Sequence, residues 1–107
     1  MQEANIHITE KINKDKKQFY NFATMKYKYK TKGVCSTVIY IDVDNDILQK
    51  VQFIGGCHGN LQGISSLVEG MNIDDVISKL ENIRCGGKTT SCPDQLATAL
   101  RQIKINN

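Results

Sequence analysis

Four cysteines, Cys35, Cys57, Cys85 and Cys92, are the residues of this chain best suited to chemistry. None of their spacings is Cys-x-x-Cys, so the strongest zinc signature is absent. Their local contexts say more. Cys57 sits in Gly55-Gly56-Cys57-His58-Gly59-Asn60, between a run of strand character and a run of helical character. Cys92 opens another helical run, Cys85 precedes Gly86-Gly87, and Cys35 follows Gly33-Val34. All four therefore stand beside a turn or at the end of an element, whereas a cysteine that only packs usually falls inside an apolar stripe. A helix N-terminus carries about half a positive charge and free N–H donors. That environment lowers a thiol pKa, often to between ~3.5 and ~7.5, which makes Cys57 and Cys92 the best thiolate candidates. If the Cys85 loop folds back against them, three or four sulfurs share one zinc ion or iron–sulfur cluster. A structural zinc contributes about 10–16 kcal/mol in small metal-folded peptides, against about 0–1 kcal/mol for a surface salt bridge. Redox or nucleophilic use of the thiols is a second reading. Inert packing is a third, because free cysteine is among the most buried residue types. His58 is either a further ligand or a solvent-facing loop histidine.

The glycine run has a rival use. Backbone N–H groups at Gly56, Gly59 and Asn60, with Ser91 at the start of the last helix, suit a nucleotide or phosphate. No Gly-Lys-Ser/Thr follows, so this is not a P-loop, and the dinucleotide fingerprint Gly-x-Gly-x-x-Gly is missing as well.

These residues must be positioned by a small scaffold. A chain of 107 residues holds one domain and one modest core, which excludes a large barrel or a two-lobed enzyme. No apolar run approaches the ~18 residues of a membrane span. The N-terminal stretch lacks the apolar segment of a secretory signal, so the expected address is the cytoplasm. In a reducing compartment four cysteines point to metal, catalysis or burial rather than to disulfides.

Charge is uneven. Residues 1–34 hold 8 Lys and 3 acids, whereas residues 35–107 hold 6 Lys and Arg and 8 acids. In residues 25–32 the lysines Lys26, Lys28 and Lys30 alternate with Tyr27 and Tyr29. Basic grooves with aromatic platforms bind single-stranded nucleic acid. The favoured reading is plainer: an edge strand with Tyr toward the core and Lys blunting the outer face, and no nucleic-acid partner.

Residues 1–24 read as a Lys-rich arm, mobile or loosely docked, and residues 25–107 as a single domain. Period-two alternation begins at Lys26, resumes over residues 35–42 and again over residues 47–54, with Asp44-Asn45-Asp46 as turn chemistry. Three strands joined by short turns predict an antiparallel meander. The period then changes. Leu61, Ile64, Leu67, Val68 and Met71 share one helical face, with Asn60 as expected N-cap. Ile73, Val76, Ile77 and Leu80 make a second stripe behind Asn72. Leu96, Ala97, Leu100 and Ile103 make a third, opened by Ser91 as cap, with Pro93 and Asp94 in the first turn. The predicted fold is α+β: a three-stranded antiparallel sheet followed by two to three helices packed on one face. Gly63 and Gly70 suggest a close approach of another backbone or a second copy, so a homo-oligomer is one expectation.

The run Thr90-Ser91-Cys92-Pro93-Asp94 carries a resemblance. With Tyr29-Lys-Thr31, Gly33-Val34-Cys35-Ser36, Phe53-Ile-Gly-Gly-Cys57, Gly59-Asn60-Leu61-Gln62-Gly63-Ile64, Leu67-Val68-Glu69-Gly70, Ile83-Arg84-Cys85-Gly86 and Asp94-Gln95-Leu96-Ala97, it resembles the TSCPD-domain family from about Lys26 to Ile105. That family occurs as short bacterial proteins and as a domain near the C-terminal end of adenosylcobalamin-dependent ribonucleotide reductases. The resemblance implies an accessory module with a ribonucleotide reductase or another redox protein as partner. It does not imply reductase activity. Ribonucleotide reduction needs a barrel with a radical cysteine, a reducing cysteine pair and a nucleotide pocket, which one ~80-residue α+β unit cannot supply.

Overall fold

The computed structural model describes residues 6–13 and 23–106. The chain runs β1 (Ile6–Asn13), β2 (Ala23–Lys30), β3 (Ser36–Asp44), β4 (Ile47–Gly55), α1 (His58–Val68), α2 (Ile73–Leu80) and α3 (Cys92–Asn106). The sheet is antiparallel throughout, in the order β1-β2-β3-β4. The α+β meander followed by helices is thus present, and β1 adds a further strand to its edge. Within the arm read over residues 1–24, residues 6–13 pair with β2, whereas residues 1–5 and 14–22 lie outside the described residues. The pattern gave no warning of β1. A single Ile6-His7-Ile8 alternation precedes a register shift between Ile8 and Glu10, so no period-two run of useful length survives.

One expectation is corrected by β1: β2 is an interior strand, not an edge. The Tyr/Lys alternation still sorts by face as a half-buried strand requires. Tyr27 and Tyr29 are each 3% exposed, and Lys28 and Lys30 face solvent. The two tyrosines that suggested a stacking platform are part of the core.

The β3–β4 hairpin closes through Asn45 and Asp46, at φ 51° and 69°. Successive left-handed residues match the twist of a two-residue hairpin, and Asn and Asp tolerate them best after glycine. Ile39, Ile41, Val43, Leu48 and Val51 place the inner face of the sheet against Val68, Ile73, Val76, Leu96, Leu100 and Ile103 from the helices. Burying each Leu or Ile fully is worth about 1.5–3 kcal/mol, so α3, with Leu96, Ala97, Ala99, Leu100 and Ile103 all inaccessible, is the main helical anchor.

Three further expectations change. Helix α1 begins at His58 with Cys57 as N-cap, three residues before the cap expected at Asn60. The Gly55-Gly56 pair, both at φ 83°, turns the chain sharply enough to start the helix at once. Gly70, at φ 91°, has no atom within 4 Å of the place its Cβ would take. Within this chain it serves the turn after α1 and not a close approach, and Gly63 likewise faces open space. Leu67, assigned to the apolar face of α1, is 77% exposed.

Candidate functional site

The end of β2, the start of β3 and the end of β4 lie at the same end of an antiparallel meander. The starts of α1 and α3 meet there too. Each cysteine belongs to one of these junctions. Cys35 ends the β2–β3 loop, Cys57 caps α1, Cys85 lies in the α2–α3 loop and Cys92 begins α3. All four line one cavity of about 400 Å³. Its other walls are largely apolar, with Val34, Leu61, Ile64, Ile83 and Pro93, and Arg84 and Lys88 stand at its rim. All four thiols are free; Cys35, Cys57 and Cys85 are exposed and Cys92 is half-buried. Among the described residues, however, no three His, Cys, Asp or Glu side chains are placed so as to hold one metal ion. The four cysteines share one cavity wall, but they do not form a ready-made metal site among the described residues.

The Thr90–Asp94 run builds this arrangement. Ser91 Oγ accepts from the Asp94 N–H at 3.1 Å, the helix cap expected from sequence. The same hydroxyl donates to the Ile83 carbonyl at 2.6 Å, which draws the Cys85 loop toward α3. Asp94 does more than face the helix dipole. Its two carboxylate oxygens accept from the Thr90 hydroxyl and from the Asn82 N–H, each at 2.6 Å. The Cys85 N–H then donates to the Thr90 carbonyl at 3.1 Å. Cys85 and Cys92 are thereby held on one clasp, although seven positions separate them.

A second set of bonds joins that clasp to the sheet. Gln95, 8% exposed, accepts from the Tyr29 hydroxyl at 3.3 Å and from the Lys32 N–H at 3.0 Å, and donates to Thr90 Oγ1 at 3.1 Å. Thr31 closes the loop that carries Cys35, donating from its hydroxyl to the Ser36 carbonyl at 2.6 Å and from its N–H to Thr37 at 3.1 Å. Buried Ser36 meets Cys92 directly, Oγ to Sγ at 3.1 Å. Tyr29→Phe is expected to cost only about 0.5–1.5 kcal/mol in urea unfolding, because Gln95 Oε1 keeps the Lys32 N–H when the phenol is lost. A larger loss would mean that the phenol holds Gln95 in place.

The rival candidates are divided by the fold. Asn60 and Ser91 line the thiol cavity, Gly56 lines a neighbouring cleft between β4 and α1, and Gly59 lines neither. The Ser91 hydroxyl is already engaged on both sides. Gly56 is needed by the chain itself, since a Cβ there would come 2.9 Å from Leu61 Cδ1 and 3.2 Å from Ser36 N. His58 lines the β4–α1 cleft and pairs with Gln62 at 3.1 Å, away from the thiol walls. Arg84, Lys88 and Gln95 are contributors that sequence reasoning did not assign to the site. Gln95 carried the clearest signal, a polar residue directly beside the apolar stripe of α3.

A small α+β domain that gathers four thiols at one end of its sheet is the class this geometry defines. A family model, the TSCPD domain, matches residues 20–104, and the chain belongs to that family. Comparison with curated proteins and with solved structures gave no match. No helix among the described residues is long and apolar enough to cross a membrane.

Proposed function

We propose that this protein is an accessory module whose working part is the four-thiol cavity, and that Cys35, Cys57, Cys85 and Cys92 hold a thiophilic metal centre there. One observation carries the reading: four cysteines from four separate junctions border a single cavity. Thiolates are the preferred ligands of zinc and of iron–sulfur clusters, and a complete set of four closes either kind of site. Apolar neighbours such as Leu61 and Ile64 support it further, since the hydrophobic surroundings of a metal site tune the centre it holds. The clasp at Thr90–Asp94 fixes two of the four donors and leaves the Cys85 thiol at the surface. Membership of the TSCPD family supports a ribonucleotide reductase or another redox protein as the partner. The centre serves either structure or thiol redox chemistry in that partnership.

The test is elemental analysis and thiol titration on the whole chain after anaerobic purification. Bound metal is expected, together with four thiols that resist a thiol reagent until a chelator is added. Four freely titrating thiols and no metal would remove the reading.

A further inference from the structure

We infer that the outer face of the sheet binds single-stranded nucleic acid, with a base stacked on Tyr40 and phosphates held by Lys28 and Lys50. The inference does not rest on the thiol cavity, which lies at one end of the sheet. Its starting point is the place of β2. Alternating lysines have a ready explanation on an edge strand, where they blunt pairing with other chains. Here β1 occupies that edge, so β2 is interior and its lysines protect no edge. Lys26, Lys28 and Lys30 instead form a row along one face, with about 7 Å between neighbours.

Register completes the face. Tyr40 lies between Lys28 and Gln52, Asp42 between Lys26 and Lys50, and Val38 between Lys30 and Ile54. Buried Ile39, Ile41 and Val43 alternate with these residues and pack against the helices, so the helices cover the other side. Tyr40 stands in mid-strand and is nevertheless 39% exposed. A shallow hollow of about 320 Å³ adjoins it, bordered also by Lys26, Asp42, Lys50 and Gln52. The acids of β3 on this face are Asp42 and Asp44, and on β1 Glu10 is the register partner of Lys26. Asp42 is taken by Lys26 at 2.9 Å, whereas Lys28 and Lys50 are exposed and join no ion pair among the described residues. An exposed aromatic ring beside uncommitted cations suits a strand of unstacked bases. Stacking accepts any base, and lysines neutralise the backbone. A duplex hides its base faces and gains nothing from Tyr40.

The experiment is fluorescence anisotropy of the whole chain with a labelled oligothymidylate of about 12 nucleotides, within the usual range of site sizes. Affinity is expected to fall roughly 7- to 50-fold between about 50 and about 200 mM salt, for roughly two to four phosphate contacts. Tyr40→Ala is expected to weaken binding at least about fivefold, and Tyr40→Phe, which keeps the ring, to leave it unchanged. Lys28→Glu and Lys50→Glu are each expected to weaken binding and to reduce the salt slope by about 0.7. Lys79→Glu makes the same charge change at an exposed position of α2, and salt screening is expected to keep its effect far smaller. Tyr40, Lys28 and Lys50 are all exposed, so circular dichroism is expected to stay that of the parent. Should Tyr40→Ala unfold, the lysine variants carry the test. No binding at low salt would overturn the inference. Equal affinity for a duplex of the same length would do so too, as would equal losses from Lys28→Glu and Lys79→Glu. Binding of a polyglutamate peptide in place of the oligonucleotide would give the face to an acidic protein and overturn it as well. None of these outcomes bears on the metal and thiol measurements above.

Discussion

Asp94→Ala is expected to lower the unfolding free energy by roughly 2–4 kcal/mol. The carboxylate accepts from Thr90 Oγ1 and from the Asn82 N–H, both at 2.6 Å. Hydrogen bonds to a charged group are worth about 1.5–3 kcal/mol each, and they are not fully additive. The carboxylate also lies in the first turn of α3, where negative charge is favoured by about 0.3–1 kcal/mol. Asp94→Asn keeps one acceptor oxygen and is expected to recover about half the loss. The measurement is a urea titration, with the midpoint falling and the slope unchanged. A loss under about 0.5 kcal/mol, the range of an ordinary surface change, would show that the clasp does not hold the α2–α3 loop.

Gly56→Ala is expected to cost a similar roughly 2–4 kcal/mol, for a different reason. A non-glycine residue in the left-handed region costs about 1–2 kcal/mol, and Gly56 sits at φ 83°. Overpacking adds about 1–3 kcal/mol, since the new methyl would press on buried Leu61 and on the Ser36 backbone. Gly59→Ala is the matched control. Its Cβ meets nothing within 4 Å, and Gly59 lies inside α1, so alanine is expected to be neutral or to stabilise by up to about 1 kcal/mol. The pair separates two meanings of the glycine run. If the run shapes the chain, Gly56 is sensitive in the ligand-free protein and Gly59 is not. Equal tolerance at both positions would return the run to the role of a phosphate cradle.

Much of the scaffold was legible from sequence because periodicity reports burial directly. The alternations from Lys26 to Ile54 became β2, β3 and β4. The stripes at Ile73-Val76 and Leu96-Leu100 became the buried faces of α2 and α3. Asn72 and Ser91 cap their helices as their chemistry requires, through the N–H groups of Asp74 and Asp94. The start of α1 was misplaced because its cap is a cysteine, whose side chain makes no capping bond and gives no cap signal. Strand β1 was missed because a register shift breaks its only alternation.

The amino-acid types alone determined which groups are able to react, and their positions beside turns and helix ends. Local propensity acts over a few residues, so it fixed those positions without reference to the rest of the fold. Only the tertiary structure decided that Cys35, Cys57, Cys85 and Cys92 border one space and that His58 and Gly59 do not. That convergence follows from sheet topology and from long-range bonds, Tyr29 and Lys32 to Gln95 and Ser36 to Cys92, between residues more than fifty positions apart. No pattern along the chain encodes such distances, because they are set by how the strands and helices pack.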